Sequence, residues 1–146
     1  SEEMNGFAVW IPFGFSGTEA IPFLMNGGLR LIFHSGPGII VRLQRYENYS
    51  MGLKKEFTDH YDWYLFNLSV KEDAQGKGIA SKLMRPMLQF CDDEHMVVYL
   101  ETNKDKNVGL YRHYGFDVMK GELIPKTSVP HYAMVRQPKG NNNDEK

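Results

Sequence analysis

The sequence predicts an α/β domain. Apolar runs of strand length alternate with segments of helical periodicity, and a glycine pair, Gly76 and Gly78, stands where one such run gives way to a helix. Composition adds a third observation. The 146 residues are 42% hydrophobic and 13% aromatic, which suits one folded domain with its own core rather than a disordered chain.

The elements follow in order. Phe7-Ala8-Val9-Trp10-Ile11 reads as a strand, ended by Pro12 and Gly14. Thr18 caps a predicted helix that runs through Ile21, Leu24 and Met25 and stops at Gly27-Gly28, with Pro22 tolerated in its first turn. A second helix is expected from about Gly38 to Phe57. It would turn Ile39, Leu43, Tyr46 and Tyr49 or Ser50 inward, with Gly52 weakening its later part. Trp63 to Val70 is a buried strand by length and by its aromatic and apolar content. Ile79, Leu83 and Met87 recur every four residues, the mark of an amphipathic helix that continues through Leu88, Phe90 and Cys91.

The remaining elements are shorter. Val97-Val98-Tyr99-Leu100 is a strand, broken by Thr102 and Asn103. Val108 to Tyr114 fits a short helix, with Gly115 at the left-handed position just past its end. Phe116-Asp117-Val118-Met119 alternates as a half-buried strand, Pro125 and Pro130 bracket a loop, and His131 to Arg136 forms the last strand before Pro138. No internal repeat is visible. The expected organisation is a single domain over 1–138 and a flexible polar tail over 139–146.

The formal net charge of −1 gives no electrostatic argument for nucleic acid or an anionic membrane as partner. No apolar run is long enough to span a bilayer, and Ser1-Glu2-Glu3-Met4 lacks the regions of a signal peptide. Cys91 is the only cysteine, so no intrachain disulfide forms. It falls on the apolar helix face, where a packed thiol is expected rather than a nucleophile. A cytoplasmic location is the expectation. His34, His95, His113 and His131 show no metal-ligand spacing, so no metal site is expected.

Gln75-Gly76-Lys77-Gly78-Ile79-Ala80 is the segment most suggestive of chemistry. Glycines at a strand-to-helix junction let the backbone approach a ligand closely. A helix start carries partial positive charge and free N–H groups, which suit a phosphate. A tight turn is the other reading of an isolated G-x-G. The segment has neither the complete P-loop pattern nor the complete dinucleotide-binding pattern.

Val70-Lys71-Glu72-Asp73-Ala74-Gln75-Gly76-Lys77-Gly78-Ile79-Ala80 resembles the acetyl-coenzyme A signature of the GNAT superfamily of N-acetyltransferases. Gln75, Gly78 and Ala80 fall on its three fixed positions. A second block is similar to the family's later segment: Tyr99-Leu100-Glu101-Thr102, then Asn107-Val108-Gly109-Leu110-Tyr111, then Tyr114-Gly115-Phe116. Its wording resembles the branch that includes puromycin N-acetyltransferase. The resemblance covers roughly residues 61 to 136. It implies a mixed, mainly antiparallel, splayed sheet flanked by helices. It also implies acetyl-CoA as cosubstrate, without a metal, and direct attack on it by a primary amine, expected on a small molecule. Relative to that family, this sequence begins after an expected first strand and its helices. That leaves two expectations: a partial member, or a homodimer or partner chain that completes the fold.

The resemblance also assigns roles. Gln75, Gly76, Lys77, Gly78, Ile79 and Ala80 would offer backbone N–H groups to the cofactor pyrophosphate, with Ser81 and Lys82 facing the phosphates. Lys77 would add a charge or simply be solvated. The backbone of Leu68, Ser69 and Val70 would pair with the pantetheine arm, though the side chains of Leu68 and Val70 could equally be core. Tyr111 falls on the general acid that protonates the thiolate, the alternative being a packed tyrosine. Asn107 would hydrogen-bond the cofactor arm or cap a helix. Glu101, at the end of a central strand, would accept the amine proton through water or serve as a structural carboxylate. Tyr114 reads as structural, Asn103 as a loop residue. His60, Tyr61, Asp62 and Tyr64 are substrate-side, surface or core positions. A rival from another class is a non-catalytic acetyl-CoA-binding module used as a sensor or structural subunit.

Overall fold

The computed structural model of the chain describes residues 4–14, 38–57 and 61–140. The helix expected from Thr18 to Met25, the positions His34 and His60, and most of the expected tail lie outside the described residues. Among the described residues five strands form one sheet in the order β1-β2-β3-β5-β4. They are β1 (Gly6–Pro12), β2 (Trp63–Val70), β3 (Val98–Thr102), β4 (Asp117–Leu123) and β5 (Pro130–Arg136). Three neighbouring pairs are antiparallel and β2–β3 alone is parallel. The sheet is therefore mixed and mainly antiparallel, as expected.

Among the described residues three α-helices accompany it: α1 (Gly38–Phe57), α2 (Ile79–Asp93) and α3 (Asp105–His113). The α2 crossover is what permits the parallel β2–β3 pair, since parallel neighbours need a long return. α2 packs on β1 and β2, and α3 on β3 and β4. Their inward side chains meet the alternate residues of the sheet in one core of Leu65, Met84, Leu88, Cys91, Val98, Leu100, Tyr111, Phe116 and Met134. Met84, Leu88 and Cys91 recur at three- and four-residue spacing, so one face of α2 is buried. Pro86 sits inside α2 and offers no N–H to the preceding turn, yet the helix continues to Asp93. Cys91 is fully buried, and burial pushes its thiol up to about 11, so it is packed and unreactive.

The opposite face of the sheet carries Tyr64, Tyr99, Ala133 and Val135, flanked by Ile11 and Tyr61. α1 reaches that face. Ser50 and Leu53 are buried, and the half-buried rings of Tyr46 and Tyr49 stand edge-on to His131. Tyr49 and Ser50, alternatives from periodicity, thus both serve. The side chains of Ile39 and Leu43 lie outside the described set. No described helix is long and apolar enough to cross a membrane.

Boundaries moved at several ends. β3 keeps Thr102 and ends two residues beyond the apolar run, because it pairs with β5 as far as Thr102↔Tyr132. α3 begins at Asp105 rather than Val108 and ends at His113. Gly115 follows it with φ 88, the left-handed conformation expected there. Arg136 is buried. It donates through Nε to the Tyr114 carbonyl at 2.9 Å and forms a two-pronged pair with Asp92 at 2.8 and 2.7 Å. Burial alone would raise the Asp92 carboxyl, but Arg136 and the Lys139 amide hold it below the usual value. That amide donates to Asp92 at 2.8 Å, so the segment called a tail begins anchored.

Candidate active site

The loop between β2 and α2 is shaped by three contacts. A 3₁₀ turn over Glu72–Ala74 buries Ala74. The Lys71 amide donates to the Asn5 carbonyl at 2.9 Å, and Gln75 Nε2 folds back onto the Val70 carbonyl at 3.3 Å. Gly76 and Gly78 both have φ 76. A Cβ at either would meet nothing within 4 Å. Glycine is thus required there by backbone torsion and not by crowding, and the space above the loop is open. Gly78 is the N-cap of α2 and its carbonyl receives the Lys82 amide at 3.1 Å. The amides of Ile79, Ala80 and Ser81 precede that first helical bond and have no partner within the helix. No acidic residue occupies the first turn, and Lys77 and Lys82 are exposed beside it. The Ser81 hydroxyl lies 2.8 Å from the Tyr114 hydroxyl, tying α2 to the end of α3.

The sheet opens beside this loop. β2 and β3 pair only through Trp63↔Val98, Tyr64↔Tyr99 and Leu65↔Leu100. Beyond Leu65, β2 pairs with β1 alone, and beyond Leu100, β3 pairs with β5 alone. The cause lies in the register. Trp10 faces Leu65 and Val9 faces Asn67, so Phe66 is an extra residue that bends and twists β2 away from β3. Leu68, Ser69 and Val70 are half-buried on the far limb of this wedge, with backbone groups on the β3 side left without a strand partner.

Glu101 lies at the other limb. Its carboxylate accepts from Ser50 Oγ at 2.8 Å and Tyr99 Oη at 2.8 Å, and His131 Nε2 stands 3.4 Å from Oε2. The side chains of Glu101 and His131 are 2% and 1% exposed. Burial pushes the Glu101 carboxyl up, but His131, Tyr99 and Ser50 outweigh it and hold it below the usual carboxylate value. The negative charge extends to the surrounding phenols. Burial first, then Glu101, raises Tyr46, Tyr61, Tyr64 and Tyr99. The Tyr61 ring stacks on Tyr99 at 5.2 Å, and Tyr64 tilts against Tyr99 at 5.6 Å.

Tyr111 projects from α3 into the core, its ring edge-to-face with Phe116 at 6.0 Å. Burial raises its hydroxyl, and no side chain among the described residues hydrogen-bonds it. Asn107 is the third residue of α3, and Lys104 occupies the N-cap, so the capping role considered for Asn107 is corrected. Its Nδ2 instead donates to Thr102 Oγ1 at 3.2 Å and fixes α3 to the end of β3. Asp62 is a brace: Oδ2 receives the Val97 amide at 2.7 Å. Among the described residues no three His, Cys, Asp or Glu side chains converge as metal ligands.

Ser50 and His131 as partners of Glu101, and Asn103 as the partner of His131, were not legible. The signal that joins two of them is register. Glu101↔Ala133 in the antiparallel β3–β5 pair sets Asn103 opposite His131, with Glu101 diagonal to it on the same face.

A mixed sheet that opens between two parallel strands, next to a glycine-bounded helix start, defines the class of α/β domain. The chain belongs to the acetyltransferase (GNAT) family, whose model matches residues 41–116. An uncharacterized N-acetyltransferase of Schizosaccharomyces pombe is 36% identical over 86 residues, 58% of this chain and 34% of that protein. The chain thus spans about a third of the length of that curated relative. Solved structures are similar too, two of them as follows. Ard1 from Thermoplasma volcanium is 27% identical with a TM-score of 0.46, covering 53% of this chain and 55% of that one. The ribosomal-protein-S18-alanine N-acetyltransferase from Escherichia coli is 18% identical with a TM-score of 0.47, covering 57% and 59%.

Proposed function

We propose that this chain is an acetyl-CoA-dependent N-acetyltransferase that acts on the primary amine of a small molecule by direct attack in a ternary complex. The observation that carries the reading is the wedge between β2 and β3, opening at the left-handed glycine start of α2 inside the family-matched segment. The residues present fit the cosubstrate. The free amides from Ile79 to Ser81, with Lys77 and Lys82, suit a diphosphate. Leu68 to Val70 pair with β1 on one side only, and their edge toward β3, which no strand takes up, suits an extended amide-bearing arm that would add to β2 as a strand does. Asn107, in the first turn of α3 and bonded to Thr102 at the end of β3, would hydrogen-bond the cofactor arm.

Bound acetyl-CoA supplies the thioester. The amine nitrogen bonds to its carbonyl carbon, the carbon–sulfur bond breaks, and amide and thiol leave. Glu101 takes the amine proton. Its lowered basicity suits a proton released as the new nitrogen–carbon bond forms, when the N–H becomes acidic, and its burial calls for a relay through water. Tyr111 gives a proton to the departing thiolate. Its raised phenol stays protonated at neutral pH, and its hydroxyl makes no competing side-chain bond among the described residues.

The test is Tyr111→Phe, assayed by calorimetry with coenzyme A and by thiol release against amines including small molecules and N-terminal peptides. We expect coenzyme A affinity within about threefold of wild type and a kcat lower by about 10²-fold. Tight binding without turnover by the wild type on any amine would point to a sensor module instead. Turnover on peptides alone would replace the small-molecule acceptor.

A further inference from the structure

His131 is nearly fully buried, yet its Nε2 has no aligned hydrogen-bond partner. A buried orphan donor costs about 1–3 kcal/mol, so its orientation calls for a reason. The other ring nitrogen supplies one. Asn103 Nδ2 lies 3.0 Å from the Pro130 carbonyl and 2.9 Å from His131 Nδ1. Only the amide nitrogen can face a carbonyl without repulsion, so the orientation of Asn103 is set by Pro130. Its second N–H then points at Nδ1, which must accept. The proton of a neutral His131 therefore sits on Nε2, and the nearest acceptor to it is Glu101 Oε2 at 3.4 Å. That distance is long for a hydrogen bond and short for a charge contact. It is the kind of slack that closes when a site is loaded.

The chain of donors runs one way, from the Asn103 amide to the His131 ring to the Glu101 carboxylate. Ser50 and Tyr99 donate to the same carboxylate from α1 and β3. Tyr46 and Tyr49 stand edge-on to the imidazole at 5.9 and 5.1 Å and leave it little room to turn. The other tautomer would set Nδ1–H against the Asn103 N–H and a bare Nε2 against an anion.

We propose that Asn103 and His131 are positioning residues for Glu101: Asn103 fixes the His131 tautomer, and His131 holds the carboxylate where it receives the amine proton. The kinetic half rests on the acetyltransferase reading, and the tautomer half does not.

The test therefore has two arms on the full chain. In the first, ¹⁵N-histidine NMR, with His131 assigned through loss of its signals in His131→Gln, reports which ring nitrogen carries the proton. We expect Nε2–H in the wild type and Nδ1–H in Asn103→Asp, whose carboxylate can only accept. A wild-type Nδ1–H, or no change on substitution, overturns the proposal.

The second arm is thiol release with whichever amine the wild type acetylates. Gln at 131 can reproduce an acceptor toward Asn103 and a donor toward Glu101, so His131→Gln should stay within about threefold of wild type. His131→Leu, which can do neither, should lose about 10²-fold in kcat, the size of loss that misplacing one reacting group produces. Should Leu at 131 fail to fold, Asn103→Asp carries this arm with the same expected loss. Wild-type turnover in the folded donor-less variant, or in Asn103→Asp if that variant carries the arm, sinks the positioning role. If the wild type turns over no amine, the acetyltransferase reading fails, and the NMR arm alone decides whether Asn103 sets His131.

Discussion

The two limbs of the wedge offer a ligand opposite things. The α2 start presents backbone amides in an open, solvated space, shaped by torsion at Gly76 and Gly78. The Glu101 limb presents a buried carboxylate already holding Ser50 and Tyr99, with His131 beside it. The first is open main chain that needs no side-chain partners. The second is a prearranged charge, whose donors come from α1, β3 and β5 and must all arrive for the group to be tolerable in the interior. A site for an anion can be made from free main chain, whereas a buried proton acceptor has to be built from side chains that satisfy it.

Breaking the buried limb should cost most. Glu101→Ala strands the donors of Ser50 and Tyr99 and removes the acceptor nearest His131 Nε2, so we expect a loss of about 3–5 kcal/mol, read by urea unfolding. A loss under about 1 kcal/mol would show that water reaches the cluster and that it is not the closed unit described. Gly78→Ala should cost less, about 1–2 kcal/mol, because the Cβ meets open space and only the left-handed torsion penalises it. The same variant should weaken coenzyme A in calorimetry by more than its stability loss predicts, since the freed amides would be re-aimed. An unchanged affinity would separate the glycines from the ligand.

The smallest effect is pH-dependent. The folded carboxyl of Glu101 lies below its ordinary value of 4.5. Its contribution is therefore complete above about pH 4.5 and is lost as pH falls through the lower, folded value. Wild type should lose stability relative to Glu101→Gln in that acid window and not between pH 6 and 8. A constant difference across the range would mean that the carboxylate is not held ionised by its donors.

The two limbs also differ in how they could be read from the chain. Gln75 to Ala80 is contiguous, and positive φ at glycine and a free helix start are local properties. The strand Trp63–Val70 and the helix Gly38–Phe57 were legible to the residue because each is a long run of one periodicity. Short elements were less so: Thr102 belongs to β3 through its partner on β5, and α3 gained Asp105 to Asn107 at its start. Asn107 could be read as a cap only while the helix start was unknown.

The sequence by itself determined the α/β alternation, the family, the glycine-bounded helix start and the packed state of Cys91. Each rests on neighbours within about a turn or a strand, where steric and hydrogen-bonding rules act locally. Tertiary structure alone decided where the sheet opens, because that depends on a bulge at Phe66 set by pairing with β1. It also decided what surrounds Glu101. Ser50 and His131 stand 51 and 30 residues away along the chain, and only the packing of α1 and the register of β5 bring their polar atoms to one buried carboxylate.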